Sequence, residues 1–198
     1  ATRSSACLPA VRWAAMAVVS FTMLCGYYVA DVAAPLEDLL YTKLHWTPSQ
    51  YGFFTGAYGW FNVFFAMLVI GGIILDKKGP RFAGMLASIL MVLGCCLKWY
   101  GINSTHMTVN VQVWTASIGY AIFGVGIELC GITATKVIVK WFKGYEIALA
   151  MGLQVAIARI GTGLAYQVSL PIANHFSIAT PILAGTLLLG IGLVAFLF

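Results

Sequence analysis

The sequence predicts an all-α polytopic membrane protein with six transmembrane helices, and three observations predict it. Of its 198 residues 61% are hydrophobic and only 9% are charged, where soluble domains carry about 25% charged residues. Mean hydropathy is +0.93, so the polar groups are too few to cover a water-exposed surface. Apolar stretches near 20 residues, each able to cross a hydrocarbon layer of ~30 Å, recur along the whole chain. The alternating ten-residue strands of a membrane β-barrel are absent. The net charge of +5 is spread over short connections, which points to topology rather than to a nucleic-acid partner. Five cysteines (Cys7, Cys25, Cys95, Cys96, Cys130) fall mostly in apolar runs without metal-ligand spacing and read as small apolar side chains.

The first span covers about 11–34. It is Ala- and Val-rich, then turns polar at Gly26-Tyr27-Tyr28-Val29-Ala30-Asp31, and Pro35, Glu37 and Asp38 mark its end. Tyr41 to Pro48 reads as a polar connection. Thr47-Pro48-Ser49-Gln50 reads as a helix start, with Thr47 as N-cap and Pro48 in the first position. The second span, about 50–75, carries Gly52, Gly56 and Gly59, whose spacing suits close helix packing in lipid. Asn62 lies deep in that span and must face protein or a cavity. The connection at 72–81 is so short that spans two and three are neighbours. Span three covers about 82–99, and a polar loop follows in which Asn103-Ser104-Thr105 forms a short glycosylation sequon. Span four covers about 111–139, span five 146–173 and span six 178–198, with Pro181 in its first turn.

Alternation of the spans gathers Arg3, Arg12, Lys77, Lys78, Arg81, Lys136, Lys140 and Lys143 on one side. Lys43 and Lys98 fall on the other. This bias places the N-terminus in the cytoplasm. A bacterial plasma membrane is the expected host, with an endolysosomal membrane as the alternative.

Three ionisable residues lie at membrane depth: Asp31, Glu128 and Arg159. Glu128 and Arg159 flank the short basic turn 140–144. If their arms are antiparallel helices, both charges sit roughly 20–25 Å from the turn. Charge at that depth costs several kcal/mol unless it is paired or wetted. Its functional reading is a polar site in a cavity between helices, and its structural reading is a buried ion pair that fixes helix register. A Glu and an Arg facing one cavity suit a zwitterion. Glu128 would receive an ammonium, and the Arg159 fork a carboxylate. Tyr27, Tyr28, Tyr58 and Trp60 are candidate amphipathic walls. No serine elbow, histidine pair or phosphate-cradling glycine loop is legible. His45, His106 and His175 fall in loops, so no enzyme activity, metal or cofactor is expected.

Gly72, Asp76, Lys77, Gly79 and Arg81 meet the pattern Gly-x3-Asp-(Arg/Lys)-x-Gly-x-Arg between spans two and three, with Pro80 where a basic residue is usual. This resembles the signature loop of the major facilitator superfamily. Trp141-Phe142-Lys143-Gly144, Gly152-Leu153-Gln154, Ala158-Arg159-Ile160-Gly161 and Tyr58-x-Trp60-x-Asn62 are similar to the branch that contains the lysosomal dipeptide uniporter of animals. The resemblance implies two three-helix repeats, forming the N-terminal half (1–198) of a twelve-helix transporter, with a second six-helix half as partner. It implies that the 72–81 loop is a gating latch in which Asp76 meets a helix of that second half. It further implies that Glu128 and Arg159 bind the two ends of a dipeptide, with Tyr28, Asp31, Tyr58, Trp60 and Asn62 around them. The expected function is transport of small zwitterions by rocking of two halves about a midplane site. Three alternatives stay open: uniport or proton coupling, a symporter of organic anions or sugars on the same scaffold, and a non-transporting membrane scaffold.

Overall fold

The computed structural model describes residues 7–64, 67–104, 106–144 and 146–197. Arg3 and Thr105, used in the topology and sequon readings, lie outside them, as does Phe198. The described residues form seven helices: α1 (Cys7–Asp31), α2 (Glu37–Leu44), α3 (Pro48–Phe64), α4 (Met67–Asn103), α5 (Val109–Trp141), α6 (Glu146–His175) and α7 (Thr180–Leu197). Four of them contain stretches long and apolar enough to cross a membrane, and Thr180–Ala195 is a shorter apolar helix.

Helix α4 is two arms joined at Gly79, whose φ of 85° interrupts the helical backbone. That φ is strained for any residue with a Cβ, and Pro80 then presets the first turn of the second arm. Contacts show that the chain reverses there. Gln50 bonds Asn110, Asn62 bonds Gly124, and Lys136 bonds Asp76. Both numbers of each pair rise together, so α3 and the first arm each run parallel to α5, along the course expected of the second span. Beyond Gly79 the pairing inverts. Gly126 faces Met91, Gly119 faces Lys98, and Gly101 faces Ala116. The second arm is therefore antiparallel to α5, as a third span must be.

The other three helices repeat this arrangement around α1. Helix α6 runs parallel to it, from Arg12–Glu146 at one end to Asp31–Thr162 near the other. Helix α7 runs antiparallel, with Gly192 against Thr22 and Gly185 against Val29. Span two lies on span four as span five lies on span one, and span three on span four as span six on span one. These are the two three-helix repeats, interlocked through α1 and α5.

Close glycine crossings hold the repeats, on the α4–α5 contact (Gly94, Gly119) and at two further points. A Cβ on Gly124 would overlap the Tyr58 carbonyl oxygen, and one on Gly161 would overlap the Leu24 carbonyl oxygen. Without a strong hydrophobic force between helices in lipid, such backbone contact is a main source of cohesion. Gly161→Ala is expected to push α6 off α1 and cost about 1–3 kcal/mol. Gly163→Ala, with nothing within 4 Å, should be silent. Thermal unfolding in detergent followed by size-exclusion separates the two, and equal midpoints would remove the crossing from the account.

The connection at 41–48 holds a helix that the sequence reading missed. Leu36 and Leu40, one turn apart, are both buried, and so is Trp46. Glu37 and Asp38 lie in the first turn of α2 and Lys43 in its last, as the helix dipole favours. The Tyr41 hydroxyl donates to Glu37 (2.6 Å), and this bond to a carboxylate pushes its pKa up to about 12. The predicted start at Thr47 is present as a reciprocal box. The Gln50 amide donates to the Thr47 hydroxyl (3.3 Å), and the Thr47 amide donates to Gln50 Oε1 (2.9 Å).

Candidate functional site

Four helices bring polar side chains to one level of the bundle. Each contributes residues one helical turn apart, which share a face: Tyr27 and Asp31 on α1, Tyr58 and Asn62 on α3, Gly124 and Glu128 on α5, Arg159 and Thr162 on α6. The close crossings at Gly124 and Gly161 set the distances between these faces. Gly124 brings α3 against α5 beside Glu128, and Gly161 brings α6 against α1 beside Arg159.

Glu128 and Arg159 do not pair with each other, and neither makes an ion pair among the described residues. The Glu128 carboxylate accepts from the Tyr58 hydroxyl at 3.4 Å. The Arg159 guanidinium lies over the Tyr27 ring, 5.3 Å from its centroid, a cation–π contact that leaves its N–H donors unspent. Asn62 Nδ2 donates to the Gly124 carbonyl at 3.4 Å, while its buried Oδ1 has no hydrogen-bond partner among the described residues. Asp31 accepts from the Thr162 hydroxyl at 2.7 Å, which ties α1 to α6 beside Arg159. This arrangement offers an acceptor on one side, a planar donor fork on the other, and phenol rings on both.

Two expected wall residues are elsewhere. Tyr28 is buried between helices, its hydroxyl 3.4 Å from the Pro181 carbonyl of α7. Its neighbour Tyr27 is the residue that meets Arg159. Trp60 packs edge-on against Phe53 (4.5 Å), which in turn meets Trp114 (4.8 Å). Two residues on from Tyr58 is roughly 200° around a helix, so Trp60 faces away from Glu128.

The residue the sequence reading missed is Lys98, there counted only in the charge bias, as one of the two basic residues on the far side. It is fully buried, at 0% exposure. Its ammonium donates to the Val29 carbonyl at 3.0 Å and lies 4.1 Å from the Tyr120 ring centroid and 5.6 Å from that of Phe54. The Tyr120 hydroxyl donates to the next carbonyl, Ala30, at 2.6 Å. Helix α1 ends at Asp31, so Lys98 and Tyr120 satisfy last-turn carbonyls at the negative end of its dipole. Tyr120 also packs on Tyr58 (5.4 Å), which connects this cap to Glu128. One signal was available. Ala87, Met91, Cys95, Lys98 and Ile102 follow one another at three to four residues, and the four apolar members of that register are buried.

In the 72–81 loop, Asp76 forms an ion pair with Lys136 of α5, and the same ammonium reaches the Leu75 carbonyl at 3.3 Å. The carboxylate that the resemblance assigned to a second half is thus held within this bundle. Lys77, Lys78 and Arg81 are exposed around it, and Gly72 lies in the helical arm before the turn.

The sequence model of the Major Facilitator Superfamily matches residues 16–198. The lysosomal dipeptide transporter MFSD1 of Danio rerio is 28% identical over 138 residues, which cover 69% of this chain and 28% of that protein. This chain thus spans under a third of that relative's length. Among solved structures, the peptide transporter POT in complex with sulfate superposes with a TM-score of 0.74 at 15% identity, covering 92% of this chain and 37% of that one. A D-xylose–proton symporter superposes at 0.75, again at 15% identity, with 93% and 47% coverage. At that identity the two structures speak for the fold, while the sequence match speaks for descent. With the signature loop, the interlocked repeats and the match over nearly the whole length, the chain belongs to the Major Facilitator Superfamily, a family of membrane transporters.

Proposed function

We propose that this chain is the N-terminal six-helix half of a secondary transporter for small zwitterions, with dipeptides as the leading substrate class. The observation that carries the reading is the separation of Glu128 and Arg159, each resting on a tyrosine instead of on the other. A purely structural ion pair would be closed. An open pair offers Glu128 to an ammonium and the Arg159 fork to a carboxylate. The name of the Danio rerio relative supports the same class. A second six-helix half would supply the opposite wall, and rocking of the two would expose the site alternately.

The basic turns at 77–81 and 140–143, with Arg12, lie at one end of the bundle, and Lys43 lies in the connection at the other. Without Lys98 the bias is stronger, and we place the N-terminus in the cytoplasm. The relative's name supports an endolysosomal membrane over the bacterial plasma membrane expected from the sequence. The test is uptake by proteoliposomes carrying the full native protein, with labelled dipeptides, free amino acids, organic anions and sugars, with and without a proton gradient. Dipeptide uptake is expected to exceed the others. Uptake of sugars or organic anions alone would overturn the substrate class, and dependence on the gradient would mark proton coupling.

A further inference from the structure

A concavity lies away from the four-helix site. It is a cleft of about 520 Å³ between the first turns of α1, the Gly79 turn, the end of α5 and Ala195 of α7. That volume falls within the roughly 300–1,000 Å³ of small-molecule sites. It shares no residue with the Glu128–Arg159 site. Along α1 it spans Val11 to Val19, at least 8 residues, or roughly 12 Å, from Tyr27.

Its chemistry is divided. One wall is apolar and descends the bundle: Val11, Val18 and Val137 line it, and the α1 residues recur at the three- and four-residue spacing of one helix face. The mouth is basic. Lys78 and Lys140 line it, with Arg81 and the half-buried Trp141 beside them. Among the described residues neither Lys78 nor Lys140 makes a hydrogen bond or ion pair. The nearby acids are already engaged, Asp76 by Lys136 and Glu146 by Arg12.

We infer that this cleft is a binding site for an anionic glycerophospholipid. The phosphate would lie between Lys78 and Lys140, and the first methylenes of an acyl chain against the α1 valines. Position favours a lipid over a free anion. The basic mouth is at the end of the bundle where headgroups lie, and a free phosphate gains nothing from a valine wall. Basic pockets between membrane helices recognise anionic headgroups in this way, and tryptophan favours that level. The inference stands apart from the transport reading, because lipid retention is measured without substrate.

The experiment is native mass spectrometry of the detergent-solubilised native protein, titrated with phosphatidylglycerol and with phosphatidylcholine. Wild type is expected to retain phosphatidylglycerol preferentially, and the preference should fall as salt rises. The double variant Lys78→Gln with Lys140→Gln is expected to lose about 30-fold in affinity for phosphatidylglycerol. The arginine pair should keep it, and Lys43→Gln at the other end should leave it unchanged. Equal retention of the two lipids by wild type, or a preference insensitive to salt, overturns the inference even if the glutamine pair fails to fold. So does an undiminished preference in a folded glutamine pair. Displacement of the lipid by millimolar inorganic phosphate would assign the mouth to a free anion instead.

Discussion

Arg159→Ala is expected to reduce dipeptide uptake by about 10²–10⁴-fold while the protein still folds. The guanidinium is exposed and stacks on Tyr27, and no carboxylate depends on it. Its removal therefore leaves no buried charge unpaired, which is the usual reason that deleting a membrane charge unfolds a protein. On the proposed function, the loss is a bidentate charge-assisted contact to the substrate, at about 1.5–3 kcal/mol for each hydrogen bond and tenfold for each 1.4 kcal/mol. Arg159→Lys keeps the charge without the fork and should fall between the two. A chemical control sharpens the test. Wild type should prefer a dipeptide to its C-terminal amide, and Arg159→Ala should no longer distinguish them. Glu128→Gln should mirror this at the amino end, losing discrimination against N-acetylated dipeptides. Retention of wild-type uptake and selectivity in both variants would remove the site from these two residues.

Lys98→Glu is expected to prevent folding. The ammonium is enclosed on the Val29 carbonyl and over two aromatic faces, and all three present negative potential to it. A carboxylate there meets the negative end of the α1 dipole and the negative faces of Tyr120 and Phe54. Lys98→Ala should fold poorly for another reason. It leaves a cavity where a long side chain was fully buried, at a cost of about 2–5 kcal/mol, and it orphans a helix-terminal carbonyl. Lys98→Met fills the volume but still orphans the Val29 carbonyl, at about 1–3 kcal/mol, so without a cavity it should be the mildest of the three. Thermal midpoints by fluorescence-detected size-exclusion test this order. A Lys98→Glu protein as stable as wild type would show that the residue does not cap α1.

The parts of the fold legible in the sequence were those whose cause is local. Apolar length gave the spans. The short charged connection at 72–81 between two such stretches gave the reversal, and Gly79-Pro80 is where the backbone makes it. Thr47 and Gln50 gave a helix start, whose cause is equally local. Helix α2 was not legible as a helix, because its burial rests on Leu36, Leu40 and Trp46 meeting a core assembled from distant spans. Lys98 entered the sequence reading only as a charge near the end of an apolar run, because a run shows nothing of what packs around it. Its neutralising partners, Val29 and Tyr120, are 69 residues before it and 22 after it along the chain.

The candidate site divides in the same way. Glu128 and Arg159 stood out because any ionisable group at membrane depth needs a partner or a cavity, whichever way its helix is turned. Which aromatics join them depended on helix rotation, and rotation is set by backbone contact. Gly161 and Gly185 both close on the Leu24–Val29 segment of α1, which buries Tyr28 and turns Tyr27 toward Arg159. Gly124 closes on Tyr58, which aims that face of α3 at Glu128 and sends Trp60 the other way. The sequence alone determined a membrane bundle with ionisable groups at depth and a reversal within 72–81, since these follow from solvation and from the length of the apolar runs themselves. The tertiary structure alone decided that those charges stay apart, which tyrosines they rest on, and that a lysine caps α1 from inside the bundle, since these depend on how close and at what rotation helices from distant parts of the chain can pack.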